Sequence, residues 1–420
     1  MVRSLGLALL CALCASCAAP AASPDATAEE LYRLINARLL LMRDVAAYKW
    51  HHELPIEDRA RESTVLERSA ADALARQLDP EAARTFFAAQ IEAAKSVQAY
   101  WHERWQTLAP PPSAAVPDLG AEVRPLLLKL GSHILDALSQ PGLRHSQAEW
   151  QRSLTVEGLG AAKRDGLFEA LLDVRPATGR LARIGAAGVL RVGTTGDYAP
   201  FSHRADGELD YVGIDIDLGR DLGLALGVPV QFVPTSWPTL LADLAADRFD
   251  IAMSGVSVIP ERRRVGEFSV VYYSGGKTAI ARCDDAARFA SLAAIDQPGV
   301  RVIVNPGGTN ERFVNANVHR ATVVRHPDNR TIFAELQARR ADVMITDRIE
   351  VTVVTGERSD LCSTMPHNLN RQDKAYLLPQ DDAWKRVVDG WLRARKLDGS
   401  VAAAFAMHGA PLLADPLPAQ

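Results

Sequence analysis

Cysteine is scarce in this chain of 420 residues: there are five, and three of them (Cys11, Cys14 and Cys17) fall within the first 17 positions. A disulfide framework holding the fold together is therefore excluded, and a chain this long can bury a core without metals or staples. A charge surplus is also missing. With 47 Lys and Arg against 51 Asp and Glu, the net charge is −4, which argues against nucleic acid as a partner. Beyond the N-terminus no apolar run reaches the ~18–20 residues of a membrane span. His51, His52, His203, His319, His326 and His367 show no metal-ligand spacing, so no metal and no cofactor is expected. An apolar fraction of 48% and a charged fraction of 23% exclude disorder as the dominant state. At roughly 150 residues per domain, two to three domains are expected.

What is present begins with residues 1–22, MVRSLGLALLCALCASCAAPAA. Arg3, an apolar run over 5–14 and a small-residue zone read as a secretory signal. Cys17 follows Cys-Ala-Ser in the manner of a lipid-anchor site, but Cys14 stands where an aliphatic residue belongs, which favours plain cleavage. Cys283 and Cys362 then remain, and in an oxidising compartment they read as a disulfide, with two unrelated thiols as the alternative.

The hydrophobic period changes along the chain. Residues 23–176 read as all-helical, 177–187 as a Gly-, Pro- and Ala-rich linker, and 188–415 as alternating strands and helices in two lobes. The lobes are expected at about 188–281 with 366–415, and at about 282–365. A Pro-rich break at 109–117 divides the helical part.

In the helical part, Leu31, Leu34, Ile35, Met42, Val45 and Ala46 form one apolar stripe. Arg38 and Lys49 share it, because eleven residues are about three turns and leave them only ~20° apart. Buried cations cost several kcal/mol each, as an order of magnitude, unless an anion meets them. Asp79-Pro80 opens another helix, whose stripe Phe87, Ile91, Ala94, Gln98, Trp101 and Trp105 is interrupted by an amide. Arg61 and Glu62 precede the apolar face at Val65 and Leu66, and a further helix holds Arg124-Pro125. Together these polar residues on core-facing stripes suggest a pocket for a dianion.

The segments LINARLLLMRDVAAYKW (34–50), LPIEDRARESTVL (54–66) and FFAAQIEAAKSVQ (86–98) resemble the secreted subclass of all-helical chorismate mutases. The resemblance implies that Arg38, Arg61 and Arg124 grip carboxylates. It implies that Lys49 and Gln98 donate to the breaking ether oxygen, and that Glu62 meets the ring hydroxyl. Ala94 stands where many relatives carry Ser or Thr. Chorismate to prephenate is a one-substrate rearrangement that needs a held conformation and stabilised charge on one oxygen. An amide at 98 donates without needing a proton, so little pH dependence is expected from neutral to mildly alkaline pH.

In the second part, TTGDY (194–198), TSWPTL (235–240) and VSVIPERRRVGEFS (256–269) resemble the type 2 periplasmic solute-binding fold. Arg262 then matches a carboxylate-binding position, Tyr198 and Trp237 aromatic walls, and Asp347 the position that holds an α-ammonium group. VNPGGTNERF (304–313), ADVMITDRIE (341–350) and KAYLLP (374–379) extend the resemblance to cyclohexadienyl dehydratase, a family on that fold. It implies Glu350 as general acid and Asn305, Asn310, Trp237 and Arg262 as shapers of the site. Asp197, Ser257, Thr309, Asp347 and Lys374 are neighbours by motif position, and the backbone N–H groups at Gly308 to Asn310 face an anion. Prephenate becomes phenylpyruvate as hydroxyl and carboxylate leave together, so an acid must protonate the hydroxyl, and desolvation must raise its pKa. Arg262 and the start of the 308–313 helix are expected to hold the pyruvyl carboxylate.

The expected protein is thus a bifunctional exported enzyme of the periplasm, chorismate mutase and prephenate dehydratase in one chain, with arogenate left open as a second substrate. The alternative is an amino-acid receptor fused to a mutase. Relatives of the mutase half are often dimers, which suggests a homodimer by analogy.

Overall fold

The computed structural model describes residues 24–108, 116–205 and 207–410. The signal segment with Cys11, Cys14 and Cys17, most of the Pro-rich break, and residues 411–415 lie outside the described residues.

The first domain is built from helices α1 (Pro24–Leu40), α2 (Met42–His51), α3 (Arg59–Leu74) and α4 (Pro80–Thr107). A π-helical turn over Leu119–Val123 runs into α5 (Arg124–Leu138), followed by α6 (Gln147–Ser153) and α7 (Ala161–Leu172). The stripe read as one helix over 29–50 is two, interrupted only at Leu41. Asp58 caps α3 by accepting from Arg61 N, and Asp79 caps α4 by accepting from Glu81 N and Ala82 N, with Pro80 at the first helical position. The core joins Leu31 and Ile35 of α1 to Phe86 and Val97 of α4, Leu135 of α5, Trp150 of α6 and Leu171 of α7, all essentially buried. At 28 residues, α4 runs about 42 Å and spans the whole bundle.

Residues 177–187 are not an extended linker. Gly179–Ala187 form helix α8, which buries Leu181 and Ile184 in the core of the following domain. The buried Arg180 guanidinium lies 3.1 Å from Asp250, and the Arg180 N–H donates to Asp381 at 2.7 Å. Composition pointed to a loop, and these tertiary contacts override it. Gly188 ends α8 with φ of 64°, the left-handed cap that turns the chain into the first strand.

The second domain has two lobes. The sheet of lobe 1 runs Val230–Pro234, Leu190–Thr194, Ile251–Ala252, Leu377–Leu378, Glu267–Phe268, with its first three strands parallel. Its helices are α9 (Ile214–Leu226), α10 (Leu240–Ala245), α11 (Pro260–Arg263) and, later in the chain, two more near the C-terminus. Lobe 2 places Thr322–Arg325, Arg301–Val304, Val343–Asp347, Lys277–Arg282 and Leu361–Ser363 in one sheet. Its helices are α12 (Leu292–Ile295), α13 (Thr309–Asn317), α14 (Ile332–Gln337) and α15 (Arg348–Glu357). The chain closes on lobe 1 with α16 (Asp382–Leu397) and α17 (Ser400–Met407). The expected boundary at 281/282 is corrected: Lys277–Arg282 pairs antiparallel with Val343–Asp347, so lobe 2 begins at Lys277. The crossing is a two-stranded ribbon of Tyr273–Gly275 with Gln372–Lys374. Cys283 and Cys362 are joined by a disulfide that fastens edge strand Leu361–Ser363 to the end of its neighbour.

Helix α3 connects the two domains. Its outer face puts Leu74 into the core of lobe 1 and brings Ala71 against α9, where a Cβ on Gly227 would stand 3.0 Å from the Ala71 Cβ. Glu67 forms an ion pair with Arg395 of α16.

Reducing the disulfide frees a loop of 79 residues, so Cys362→Ser is expected to destabilise the two-lobed domain by about 2–4 kcal/mol. Calorimetry should register this as a lower transition for that domain, with mutase activity unchanged at room temperature.

Candidate active sites

The helical domain holds an open cavity of about 160 Å³ between α1, α2, α3, α4 and α5. Arg38 and Lys49 both reach it, as their eleven-residue spacing requires, and α4 contributes Phe87, Ile91, Ala94 and Gln98. Arg61, Glu62 and Arg124 complete the set expected from sequence, so all of those residues line one space. Six cations border it against three carboxylates. Glu62 is engaged with Lys95 at 3.3 Å, Asp72 with Arg68 at 3.5 Å, and Asp58 with its helix N-terminus. Arg38, Lys49, Arg61 and Arg124 have no ion-pair partner among the described residues.

Arg38 is the most constrained of these. It is 7% exposed, its Nη1 donates to Gln90 Oε1 at 3.2 Å, and its Nε has no partner. The Phe87 ring lies 5.8 Å from the guanidinium. Burial alone lowers its pKa to about 10. A buried cation with an orphaned donor is unfavourable in the empty cavity, and a carboxylate would relieve it. Burial also holds Lys49 below its ordinary value; Asp58 and Glu62 oppose this and Arg124 adds to it. The Lys49 Nζ donates to Ile56 O at 2.7 Å, which aims it across the cavity mouth. The Gln98 amide is buried, donating to Ala94 O at 3.2 Å.

The cleft of the second domain holds two adjoining cavities. The inner one, about 20 Å³, is lined by Tyr198, Trp237, Ser257, Asn305, Thr309, Asn310, Asp347 and Lys374. The outer one, about 340 Å³, is lined by Asp197 and Glu350 among others. The two share Asn329, whose Nδ2 donates across the lobes to Asp197 O at 2.8 Å. Two expected residues therefore sit otherwise than the motif suggested. Arg262 stands behind the inner wall, donating to Ser257 O at 2.9 Å with its guanidinium 5.6 Å from the Trp237 ring. Glu350, in the first turn of α15, lines the outer cavity and not the inner one.

Asp347 is the electrostatic centre. Its carboxylate lies 2.8 Å from Lys277 Nζ and 2.7 Å from Lys374 Nζ, and it accepts from the Tyr198 hydroxyl. Burial would push this acid up, but the two ammonium groups outweigh it and hold the carboxyl far below the usual range. Burial lowers Lys374 to about 8, against the pull of Asp347. Its Nζ also donates to Ser257 Oγ at 2.8 Å. Arg262, 4% exposed, is lowered to about 10, chiefly by burial. Glu350, 2% exposed, is raised by burial to about 8, with Asp347 and Asp197 adding and Thr346 and Lys277 opposing. It is thus a neutral acid at pH 7.

Sequence reasoning missed Lys277, Asn329 and Thr346. Lys277 Nζ donates to Thr309 Oγ1 at 3.0 Å and to Asn310 Oδ1. Asn310 Nδ2 donates to Asn305 Oδ1 at 3.2 Å and to Thr346 Oγ1 at 3.0 Å, and the Thr346 hydroxyl donates to Glu350. A lysine opening the fully buried strand KTAIAR was the available signal. Among the described residues no cluster of three or more His, Cys, Asp or Glu could hold a metal ion, and no helix is long and apolar enough to cross a membrane.

A two-lobed receptor architecture with a cationic cleft, preceded by a helical bundle with a cationic cavity, defines a two-site protein for small anions. The pattern of bacterial extracellular solute-binding proteins of family 3 matches residues 190–409, and that of type II chorismate mutases matches residues 22–99. The chain belongs to the first family through its two-lobed domain and to the chorismate mutases through its helical one. It is 50% identical over 221 residues to cyclohexadienyl dehydratase of Pseudomonas aeruginosa, covering 52% of this chain and 82% of that protein. It is 31% identical over 146 residues to the secreted chorismate mutase of Yersinia pestis, covering 34% of this chain and 78% of that one. The crystal structure of an ancestral amino-acid-binding protein, described as a precursor of cyclohexadienyl dehydratase, matches with a TM-score of 0.52 and 31% identity, over 55% of this chain and 99% of that one.

Arg38→Met should remove mutase activity while raising the unfolding temperature of the helical domain, because an unpaired buried cation gives way to an apolar chain of similar length. Chorismate turnover and calorimetry on the same protein test both halves of that expectation.

Proposed function

We propose that this chain converts chorismate to prephenate in its helical domain and prephenate to phenylpyruvate in its two-lobed domain, on the route to phenylalanine. The observation that carries the second assignment is the neutral, buried Glu350 beside an Asp347 already gripped by two lysines. A receptor for a zwitterion needs that aspartate free for an ammonium group. Here Lys277, Lys374 and Arg262 outnumber the carboxylates of Asp347 and Asp197. That balance favours an anionic substrate such as prephenate, and it disfavours the ammonium group of arogenate.

In the mutase, Arg38, Arg61 and Arg124 hold the two substrate carboxylates, fixing the compact diaxial shape in which the new carbon–carbon bond can form. Lys49 and Gln98 donate to the ether oxygen as its bond to carbon breaks, each worth ~3–4 kcal/mol where a preorganised donor meets developing charge. Glu62, tied to Lys95, faces the ring hydroxyl.

In the dehydratase, Lys374 and the start of α13 take the pyruvyl carboxylate between Tyr198 and Trp237, with Arg262 adding positive charge from behind the wall. The ring carboxylate stays free of a strong ion pair, since it must lose its charge as carbon dioxide. Its carbon–carbon bond breaks, the electrons pass through the ring, and the hydroxyl leaves as water with a proton from Glu350. The ring hydroxyl then lies where the two cavities meet, beside Asn329. Residues 1–22 direct export to the periplasm, a compartment that suits the Cys283–Cys362 disulfide.

Glu350→Gln should lower prephenate dehydration by about 10²–10⁴-fold while chorismate consumption continues, so that prephenate accumulates. An unaltered rate of phenylpyruvate formation would remove Glu350 from the reaction. The pH profiles should also part. The acid form of Glu350 and the ammonium form of Lys374 both exist below about pH 8, so dehydration is level there and falls as pH rises through it. Mutase activity should persist through that range, because the arginines stay charged and Gln98 has no proton to lose. Kinetics on chorismate and on prephenate in one buffer series measure both.

A further inference from the structure

We propose that the outer cavity of the two-lobed domain is the route by which solvent returns a proton to Glu350 after each turnover. The inference rests on the dehydratase reading. In that reaction prephenate dianion and one proton give phenylpyruvate monoanion, carbon dioxide and water. The proton passes from the Glu350 carboxyl to the departing oxygen, so every turnover leaves a carboxylate that must be reloaded from outside.

The inner side cannot supply that proton. One Glu350 oxygen accepts from the Thr346 hydroxyl, and Thr346 in turn accepts from the Asn310 amide. A side-chain amide has no acidic proton near neutral pH, so the chain of hydrogen bonds ends there as a relay. Asp347, Lys277, Tyr198 and Asp197 are the other charged or titratable groups near Glu350. Of these, Lys277, Tyr198 and Asp347 are bound to one another across the cleft floor. The lobes are also joined by Arg312 to Glu261 at 2.9 Å and by Asn329 to Asp197 O at 2.8 Å.

The second Glu350 oxygen has no protein partner among the described residues, and the residue borders the outer cavity of about 340 Å³. That cavity is polar where a proton must travel: His203, Glu357 and His408 border it, and His408 Nε2 lies 2.8 Å from Asp217. Val212, 53% exposed, stands at its solvent side. The released water would leave by the same path, since the leaving oxygen sits at the junction of the two cavities.

The test is to narrow the passage with Val212→Trp at its solvent side, and separately with Val353→Phe, one turn along α15 from Glu350, in the full-length protein. Rapid-mixing kinetics with prephenate should show a first turnover at the wild-type rate, a burst of one phenylpyruvate per enzyme. A steady state at least about tenfold slower and a larger solvent deuterium isotope effect should follow. A raised KM with a slowed first turnover would mean that the cavity holds substrate, and an unchanged steady state in both variants would mean that the proton enters elsewhere. Either result overturns the proposal. A wild-type protein inactive on prephenate would instead remove the dehydratase reading, while chorismate consumption reports that the chain is folded.

Discussion

The two-lobed site depends on the ion cluster at Asp347. Each of its bonds joins parts of the chain that are distant in sequence: Lys277 opens the first strand of lobe 2, Asp347 ends another strand of that sheet, and Lys374 comes from the returning ribbon. The cluster therefore forms only when the crossing strands are in register. It also fixes the chemistry around it. Two ammonium groups keep Asp347 ionised, that fixed negative charge helps hold the neighbouring Glu350 neutral, and Lys277 orders the amide of Asn310 that supports it. Opposite protonation preferences on two acids three residues apart come from burial at Glu350 and from the two lysines at Asp347.

The helical site uses the reverse device. Its cations, Arg38 above all, are left without acids, and the cavity is completed only by a substrate carrying negative charge. One site already pairs its own acid with two lysines and keeps a proton in reserve. The other has its charge unbalanced and needs no proton. That contrast matches a dehydration, which must protonate a leaving group, and a rearrangement, which only redistributes electrons.

Much of this was legible in the residues. Arg38 and Lys49 on one stripe, the capping aspartate at 79, and the amide at 98 follow from helical geometry within a few turns, so much of the helical cavity could be assembled residue by residue. In the other domain the motif positions were legible, but their partition between two cavities was not, because the turn of α15 and the retreat of Arg262 behind Ser257 are tertiary facts. Lys277 was missed because a cation opening a strand ordinarily reaches solvent. Its burial is set by Asp347, seventy residues later. Helix α8 was missed because Gly, Pro and Ala suggest a loop, whereas Leu181, Ile184 and the Arg180 ion pair with Asp250 are satisfied only in contact with lobe 1. Only one face of α3 was read, the one bearing Arg61 and Glu62.

The opposite face of that helix has a consequence for how the chain can be divided. Ala71 and Leu74 lie against the neighbouring domain, so cutting the chain after residue 175 would strip apolar surface bare on a wall of the mutase cavity. An excised bundle would carry a sticky stripe beside its catalytic groups, and two separately made halves would tend to re-associate along that seam. The fusion thus has a mechanical side beyond convenience: the second enzyme serves as scaffold for the first.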